Sequence, residues 1–382
     1  MQRPEPTPEQ EVEAATVPSV AFCITELDPG GAEKALVRFA KGIHNVGWTV
    51  RVVSLRDAGA LSEELEAAGI DVTALNCGGF GDVRAIPRLA RLLRRVQPDM
   101  LVCFLHQANI VGRIAGWLAG VQQVISGVRV ADRRRIVVWT DWLTQRLTCH
   151  YTAVSQHVAS IHSQLCGITE SRFTVLYNGV EIPASRSTRE ERDDSYFRIL
   201  FAGRLTSQKR PLDLVQAVSR LPEEILQRTM VDILGDGDLE RPLRNAIEEK
   251  GLEDRIRLHG YQANMEPWWA QADVLVLPSA WEGLPNVVLE AMAHHVPVIA
   301  SRVDGVREVI EDGKNGWLVK SGNVQDLASA IIAAESSPEV RNEIAQCGFD
   351  SVRQRFCWKK SIEAFINCLA ELRADHIGVE KR

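Results

Sequence analysis

Residues 274–292 read Val-Leu-Val-Leu-Pro-Ser-Ala-Trp-Glu-Gly-Leu-Pro-Asn-Val-Val-Leu-Glu-Ala-Met, and this stretch decides the fold. Four consecutive apolar residues, Val274 to Leu277, predict a strand buried on both faces, the pattern of a parallel sheet covered by helices. The turn Gly283-Leu284-Pro285-Asn286 then leads into a helix. Proline is favoured in a first helical turn, where no N–H is needed, and Asn286 is placed to cap nearby donors. Glu282 and Glu290 stand eight positions apart across that turn. Backbone amides at the helix start would point between the two carboxylates and form a seat for a phosphate flanked by hydroxyl-binding acids. The ligand this predicts is a nucleotide carrying a sugar. Two acids at an arbitrary spacing are more often simply solvated, so the rest of the chain has to support the reading.

Working outward, the same alternation recurs on both sides. Upstream in this half, Arg198 to Ala202 and Val231 to Leu234 read as strands that end in glycine turns, with Ile256 to His259 as another strand. Downstream, Val296 to Ala300 and Gly316 to Val319 follow the same pattern, and helical sequence runs from Val324 toward the C-terminus. The first half repeats the scheme. Val20 to Ile24 is a strand followed by Pro29-Gly30-Gly31 and an amphipathic helix from Ala32, and Met100 to Leu105 is an apolar strand ending at His106. Strands alternating with helices in this way predict an α/β protein built of two doubly wound, Rossmann-like domains, with ligands at the carboxyl ends of the strands. The expected division is a disordered tail at 1–17, a first domain at 18–184, a linker at 185–195, a second domain at 196–356, and a C-terminal helical segment at 357–382 packing back on the first domain.

The 382 residues, 45% hydrophobic and 25% charged, suit a soluble two-domain protein. No apolar run reaches the roughly 18 residues of a membrane span, and the acidic first segment is not a signal peptide, so a cytoplasmic location is expected. The eight cysteines are scattered among apolar neighbours, which favours buried thiols over disulfides or a zinc site. Residues 20–180 hold 17 Lys and Arg against 13 Asp and Glu, an excess that suits an anionic partner but is too small for nucleic acid.

Arg204 and Lys209 follow a strand end and precede a helix start, where the dipole disfavours positive charge. A cation so placed calls for a compensating anion, and a guanidinium beside an ammonium would neutralise a diphosphate and stabilise it on departure. No GxxxxGK[ST] loop is present, which argues against a nucleoside triphosphatase. Gly30 and Gly31 serve equally well as a tight turn or as backbone donors to a ligand. Gly235-Asp236-Gly237 needs no ligand to explain it. Adjacent residues His294 and His295 cannot face one metal together, and no metal site is expected.

In order along the chain, FAGRLTSQKRP (201–211), ILGDGDLE (233–240), RIRLHGY (255–261), ADVLVLPSAWEGLPNVVLEAMAHHVPVIAS (272–301) and DGVREVIEDGKNGWLV (304–319) closely resemble the donor-binding half of family 4 glycosyltransferases of the GT-B fold. LDPGGAEKAL (27–36), CFLHQANIVGR (103–113), AVSQHVA (153–159) and LYNGVE (176–181) resemble the family's first half, so the likeness covers roughly residues 18 to 370. The resemblance implies two domains facing a central cleft and a retaining transfer of sugar from a nucleoside diphosphate sugar, with no metal or other cofactor. It places Arg204 and Lys209 on the donor diphosphate, Glu290 on the ribose, Glu282 near the transferred sugar, and the backbone of Gly203, Gly235 and Gly283 to Asn286 around phosphate and sugar. It assigns a strand-end histidine, here His106, to the sugar. The acceptor would be a hydroxyl of a glycan or lipid-linked molecule in cell-surface polysaccharide or glycolipid synthesis. A sugar nucleotide epimerase, a phosphorylase and a non-catalytic sugar nucleotide-binding subunit are the alternatives. Arg84, Arg88, Arg91, Arg94 and Arg95 in one helix, and Arg129, Arg133, Arg134 and Arg135 before IVVWTDWL, are either a solvated charged face or a peripheral contact with an anionic membrane at its inner side.

Overall fold

The computed structural model describes residues 17–79, 81–130, 132, 134–184 and 195–380. The expected tail and linker lie outside the described residues except for Val17 and Ser195, and so does Arg133. The chain divides into two compact units: one runs up to Gly127 and adds Trp139–Tyr151 and the residues from Cys368 on, and the other holds Val128–Val138 and Thr152–Asn367.

The first series of strands is β1 (Ser19–Ile24), β2 (Thr49–Ser54), β3 (Asp71–Ala74), β4 (Met100–Phe104), β5 (Gln123–Val128), β6 (His150–Ala153) and β7 (Phe173–Val175). The helices among them are α1 (Gly31–Asn45), α2 (Ser62–Ala67), α3 (Ala85–Val96), α4 (His106–Ala119), α5 (Arg135–Thr144) and α6 (Gln156–Cys166). The first unit is built on β3-β2-β1-β4-β5, every pair parallel, with Phe22 opposite both Val52 and Val102. All five residues of β4 are buried, as a central strand covered on both faces requires. Helix α1 buries Leu36, Phe39, Ala40 and Ile43, spaced to form a single stripe against the sheet. Helix α3 does the same with Ala85, Leu89, Ala90 and Leu93, which leaves its arginines outside.

The second series comprises β8 (Phe197–Ala202), β9 (Thr229–Leu234), β10 (Ile256–Leu258), β11 (Val274–Leu277), β12 (Val298–Ser301) and β13 (Trp317–Val319). Its helices are α7 (Pro211–Val218), α8 (Glu223–Leu226), α9 (Glu240–Glu249), α10 (Glu266–Gln271), α11 (Asn286–Ala293), α12 (Asp304–Arg307), α13 (Val324–Ser336), α14 (Pro338–Arg355) and α15 (Trp358–Glu380). The sheet order is β10-β9-β8-β11-β12-β13, again parallel. Its core joins Ile199, Phe201, Ile233 and Val276 from the strands to Leu214, Leu243 and Ile331 from the helices. Helix α15 is divided, its residues from Cys368 grouping with the first unit, where Gln123 Nε2 donates to the Leu372 carbonyl at 3.3 Å.

Each sheet reverses its strand order at one point, between β1 and β4 in the first and between β8 and β11 in the second. At such a switch point the loops after two neighbouring strands part to opposite faces and open a crevice at the strand ends. The loops there carry Gly30, Gly31 and His106 in the first unit, and Gly203 to Lys209 and Glu282 to Asn286 in the second.

Candidate functional site

In the second unit the crevice is organised by Glu282, which is only 9% exposed although it sits in a loop. A buried carboxylate requires partners, and its Oε1 has two: Lys209 Nζ and Ser279 Oγ each donate to it at 2.6 Å. Lys209 is held by a turn in which its own amide donates to the Thr206 carbonyl at 3.1 Å. That loop is then fastened to the loop after β11. The Ala280 amide donates to the Gln208 carbonyl at 2.7 Å, and Gln208 Nε2 to the Trp281 carbonyl at 3.0 Å. Lys209 and Glu282, predicted separately, thus form one part-buried ion pair, with Ser279 as a participant the sequence did not single out.

Gly203 donates its amide to the Leu234 carbonyl at 3.0 Å, which draws the loops after β8 and β9 together. Gly235 has φ of +124°, and a Cβ there would lie 2.1 Å from the Gly203 carbonyl oxygen. Only glycine fits, so packing of the turn by itself accounts for a residue that the resemblance had set beside phosphate and sugar. Arg204, just beyond, is exposed, and its guanidinium has no ion-pair or hydrogen-bond partner among the described residues.

The start of α11 differs from expectation in one respect. Pro285 is the residue before the helix and Asn286 the first within it, with no side chain capping the amides. A side chain at that first helical position does not reach back over the following amides. The Asn286 Oδ1 instead accepts from Asn178 Nδ2 at 2.8 Å, and the buried Asn178 accepts in turn from Arg129. The first amides of α11 therefore keep their positive end open toward the Glu282 loop. Leu284 and Pro285 are buried beneath the turn, while Gly283 has no atom closer than 3.5 Å to where a Cβ would stand. Gly305 of α12 backs the turn so closely that a Cβ would meet the Gly283 carbonyl oxygen at 2.1 Å. Glu290 is half-buried, one turn along α11.

Asn178 belongs to LYNGVE, which was quoted only for its resemblance; its partner lies 108 positions away, out of reach of any local pattern. Two further quoted stretches meet through Glu308, whose carboxylate accepts the Gln156 and His157 amides at 2.8 Å each at the start of α6. Tyr177 lies against the same carboxylate, and burial first, then Glu308, pushes its phenol up to about 12.

In the first unit, His106 is the opening residue of α4, directly after the strand end. The reversal is made at Leu105, with φ of 74° and ψ of 153°, a region costly for any residue but glycine. The Asn109 amide reaches back to the Leu105 carbonyl at 2.9 Å. The His106 Nε2 is 3.1 Å from Thr140 Oγ1 of α5. Gly30 precedes α1 in extended conformation and Gly31 opens it; a Cβ on Gly30 would collide with the Glu33 carboxylate at 2.2 Å.

Two Rossmann-like units that share the strand pattern 3-2-1-4-5, with polar side chains gathered at the switch points, define the GT-B fold. The comparisons agree. Residues 29–182 match the family model "Glycosyltransferase Family 4" and residues 185–350 match "Glycosyl transferases group 1". An Escherichia coli UDP-Gal:alpha-D-GlcNAc-diphosphoundecaprenol alpha-1,3-galactosyltransferase is 24% identical over 77% of this chain and 82% of its own length. The lipopolysaccharide core biosynthesis glycosyltransferase LpsD of Rhizobium meliloti (strain 1021) is 29% identical over 88% and 94%. Among solved structures, Anabaena HepE in complex with UDP superimposes with a TM-score of 0.82 at 23% identity, over 92% of this chain and 100% of that one. The chain belongs to glycosyltransferase family 4 and is a glycosyltransferase.

Proposed function

We propose that this enzyme moves a sugar, with retention of anomeric configuration, from a nucleoside diphosphate sugar to a hydroxyl of a glycan or lipid-linked acceptor in cell-surface polysaccharide or glycolipid synthesis. The observation that carries the reading is the Lys209–Glu282 pair at an uncapped helix start, with the unpartnered Arg204 on the neighbouring strand end. An ammonium has three protons, so Lys209 can keep its bond to Glu282 while donating to a phosphate oxygen. Arg204 and the α11 amides complete a cationic seat in which the departing diphosphate is stabilised as its charge develops. Glu282, held on Oε1 by Lys209 and Ser279, offers its other oxygen to a sugar hydroxyl, and Glu290 is spaced to take the ribose. His106 serves the transferred sugar.

In this mechanism the diphosphate leaves the face from which the acceptor hydroxyl approaches, and that hydroxyl's proton passes to the departing phosphate. No side chain is required as a nucleophile. Because the chain's own cations supply the charge, chelators should leave turnover unchanged. Uridine diphosphate sugars are the first donors to test, since the Escherichia coli relative is named for UDP-Gal and HepE was solved with UDP.

The test is a melting-temperature screen of UDP- and GDP-sugars followed by an assay of nucleoside diphosphate released on adding acceptors. One donor should raise the melting temperature, as a ligand of the folded state does, and release should depend on acceptor. Phosphate-dependent release of sugar phosphate, or epimerised donor with no free nucleotide, would contradict the proposal.

A further inference from the structure

We infer that α4 and α5 of the first unit form a docking surface for a lipid bilayer with anionic headgroups; this deepens the proposal of a lipid-linked acceptor and rests on it only for its biological purpose. Helix α5 has two faces in this unit. Asp141 and Thr144 point inward to the fully buried Arg113 of α4, whose guanidinium donates to the Asp141 carboxylate and, at 3.0 Å, to Thr144 Oγ1. Thr140 on the same side meets His106. The opposite face presents Trp139, Trp142 and Leu143, which are 56%, 56% and 57% exposed. Positions 139, 142 and 143 fall within about a third of the helical circumference, so the three side chains form one stripe.

Helix α4, which holds α5 through Arg113, ends in a second exposed apolar pair, Trp117, 64% exposed, and Leu118. Helix α3 packs on α4, and Arg94 Nη2 donates to the Leu118 carbonyl at 2.7 Å, which sets the outward arginines of α3 beside these residues. Arg88, Arg91, Arg94 and Arg95 are exposed there, and Arg146 is exposed just after α5. Among the described residues of α3, α4 and α5 the only carboxylate is Asp141, 2% exposed and neutralised by Arg113. Exposed tryptophans amid cations, with no exposed acid on the same helices, match a bilayer interface: indoles seat at headgroup level and arginines meet lipid phosphates. A protein partner is a poorer fit, because exposed arginines this dense would need acidic counterparts arrayed around an aromatic centre. The helix whose outer face would meet lipid also carries the hydroxyl bonded to His106, which puts the docking element next to the residue assigned to the sugar.

The test is sedimentation with vesicles of phosphatidylcholine alone and with phosphatidylglycerol added, at low and high salt, together with quenching of tryptophan emission by bromine-labelled lipid. The protein should bind the anionic vesicles, release in high salt, and be quenched. W117S/W139S/W142S should bind at least tenfold more weakly and lose the quenching, and R91E/R95E should lose the salt-sensitive component. Nucleoside diphosphate release from soluble donor and acceptor should be unchanged in both variants, and its absence in the unmodified enzyme would count against the transferase proposal instead. The inference is overturned if the unmodified protein ignores anionic vesicles, if it binds as well with the tryptophans replaced, or if ultracentrifugation shows a dimer that the tryptophan variant dissolves.

Discussion

The Lys209–Glu282 contact is structural before it is catalytic, because a carboxylate as buried as Glu282 needs partners in place of water. In the proposed mechanism such a seat is preorganised, and its cations would need little rearrangement as a diphosphate departs. Replacing Arg204 or Lys209 by alanine should each raise the barrier by about 2–4 kcal/mol, the cost of losing one preorganised electrostatic contact, measured as turnover with the best donor. The two variants should differ in melting temperature. Arg204 is exposed and unpartnered, so its loss should leave stability unchanged, whereas Lys209→Ala strands Glu282 and should lower it. Tyr177 provides a second measurement at this scale. Its folded pKa, about 12, lies above the ordinary phenol value, so its contribution to stability is complete below about pH 10 and is lost as pH rises from 10 to 12. Ultraviolet titration should show a late-ionising component that Tyr177→Phe diminishes, and a titration curve unchanged above about pH 11 by that substitution would be inconsistent with the burial described.

Among the elements, the glycine turns separate packing from ligand contact. Gly235→Ala would force a methyl group into the Gly203 carbonyl and a disfavoured backbone angle, and should cost roughly 2–4 kcal/mol of stability. Gly283→Ala meets only ordinary contacts, so it should fold normally and weaken donor binding if the Gly283 backbone approaches the phosphate. A calorimetric melt and a donor titration on the two variants would show the split, and equal stability loss in both would refute it. Helix α5 depends on a buried ion pair in the same way. Arg113→Met removes the cation paired with the buried Asp141 and should destabilise by about 3–5 kcal/mol, and adding Asp141→Leu should recover most of that loss in denaturant unfolding. The arginines at 84–95 were legible as a charged face, but part of their work is local: Arg84, which precedes α3, pairs with Asp82, and Arg88 donates to the Leu75 carbonyl at 2.8 Å.

For the whole molecule, the sheets were legible because buried parallel strands leave unbroken apolar runs, of which Val274–Leu277 and Met100–Phe104 are the clearest. Arg204, Lys209, Glu282 and the α11 turn stand out in the sequence because charge at strand and helix ends has a cost; the structure brings Lys209 and Glu282 together, and the ligand they would serve belongs to the proposed function. Ser279, Asn178 and Thr140 do not stand out. A serine, an asparagine and a threonine have unremarkable local roles, and what singles them out is contact with residues distant in sequence, as Asn178 has with Asn286. The cap at α11 was misread for a related reason: Asn286 suits either position, and only the presence of Asn178 decides where its side chain goes.

Retaining transfer from a nucleoside diphosphate sugar is tested most directly by following the anomeric proton by nuclear magnetic resonance as the enzyme consumes its donor with acceptor and a chelator present. The account predicts that the first-formed product keeps the donor's anomeric configuration and that one nucleoside diphosphate is released for each sugar transferred. A product of inverted configuration, or sugar transfer that stops when the chelator is added, would contradict it.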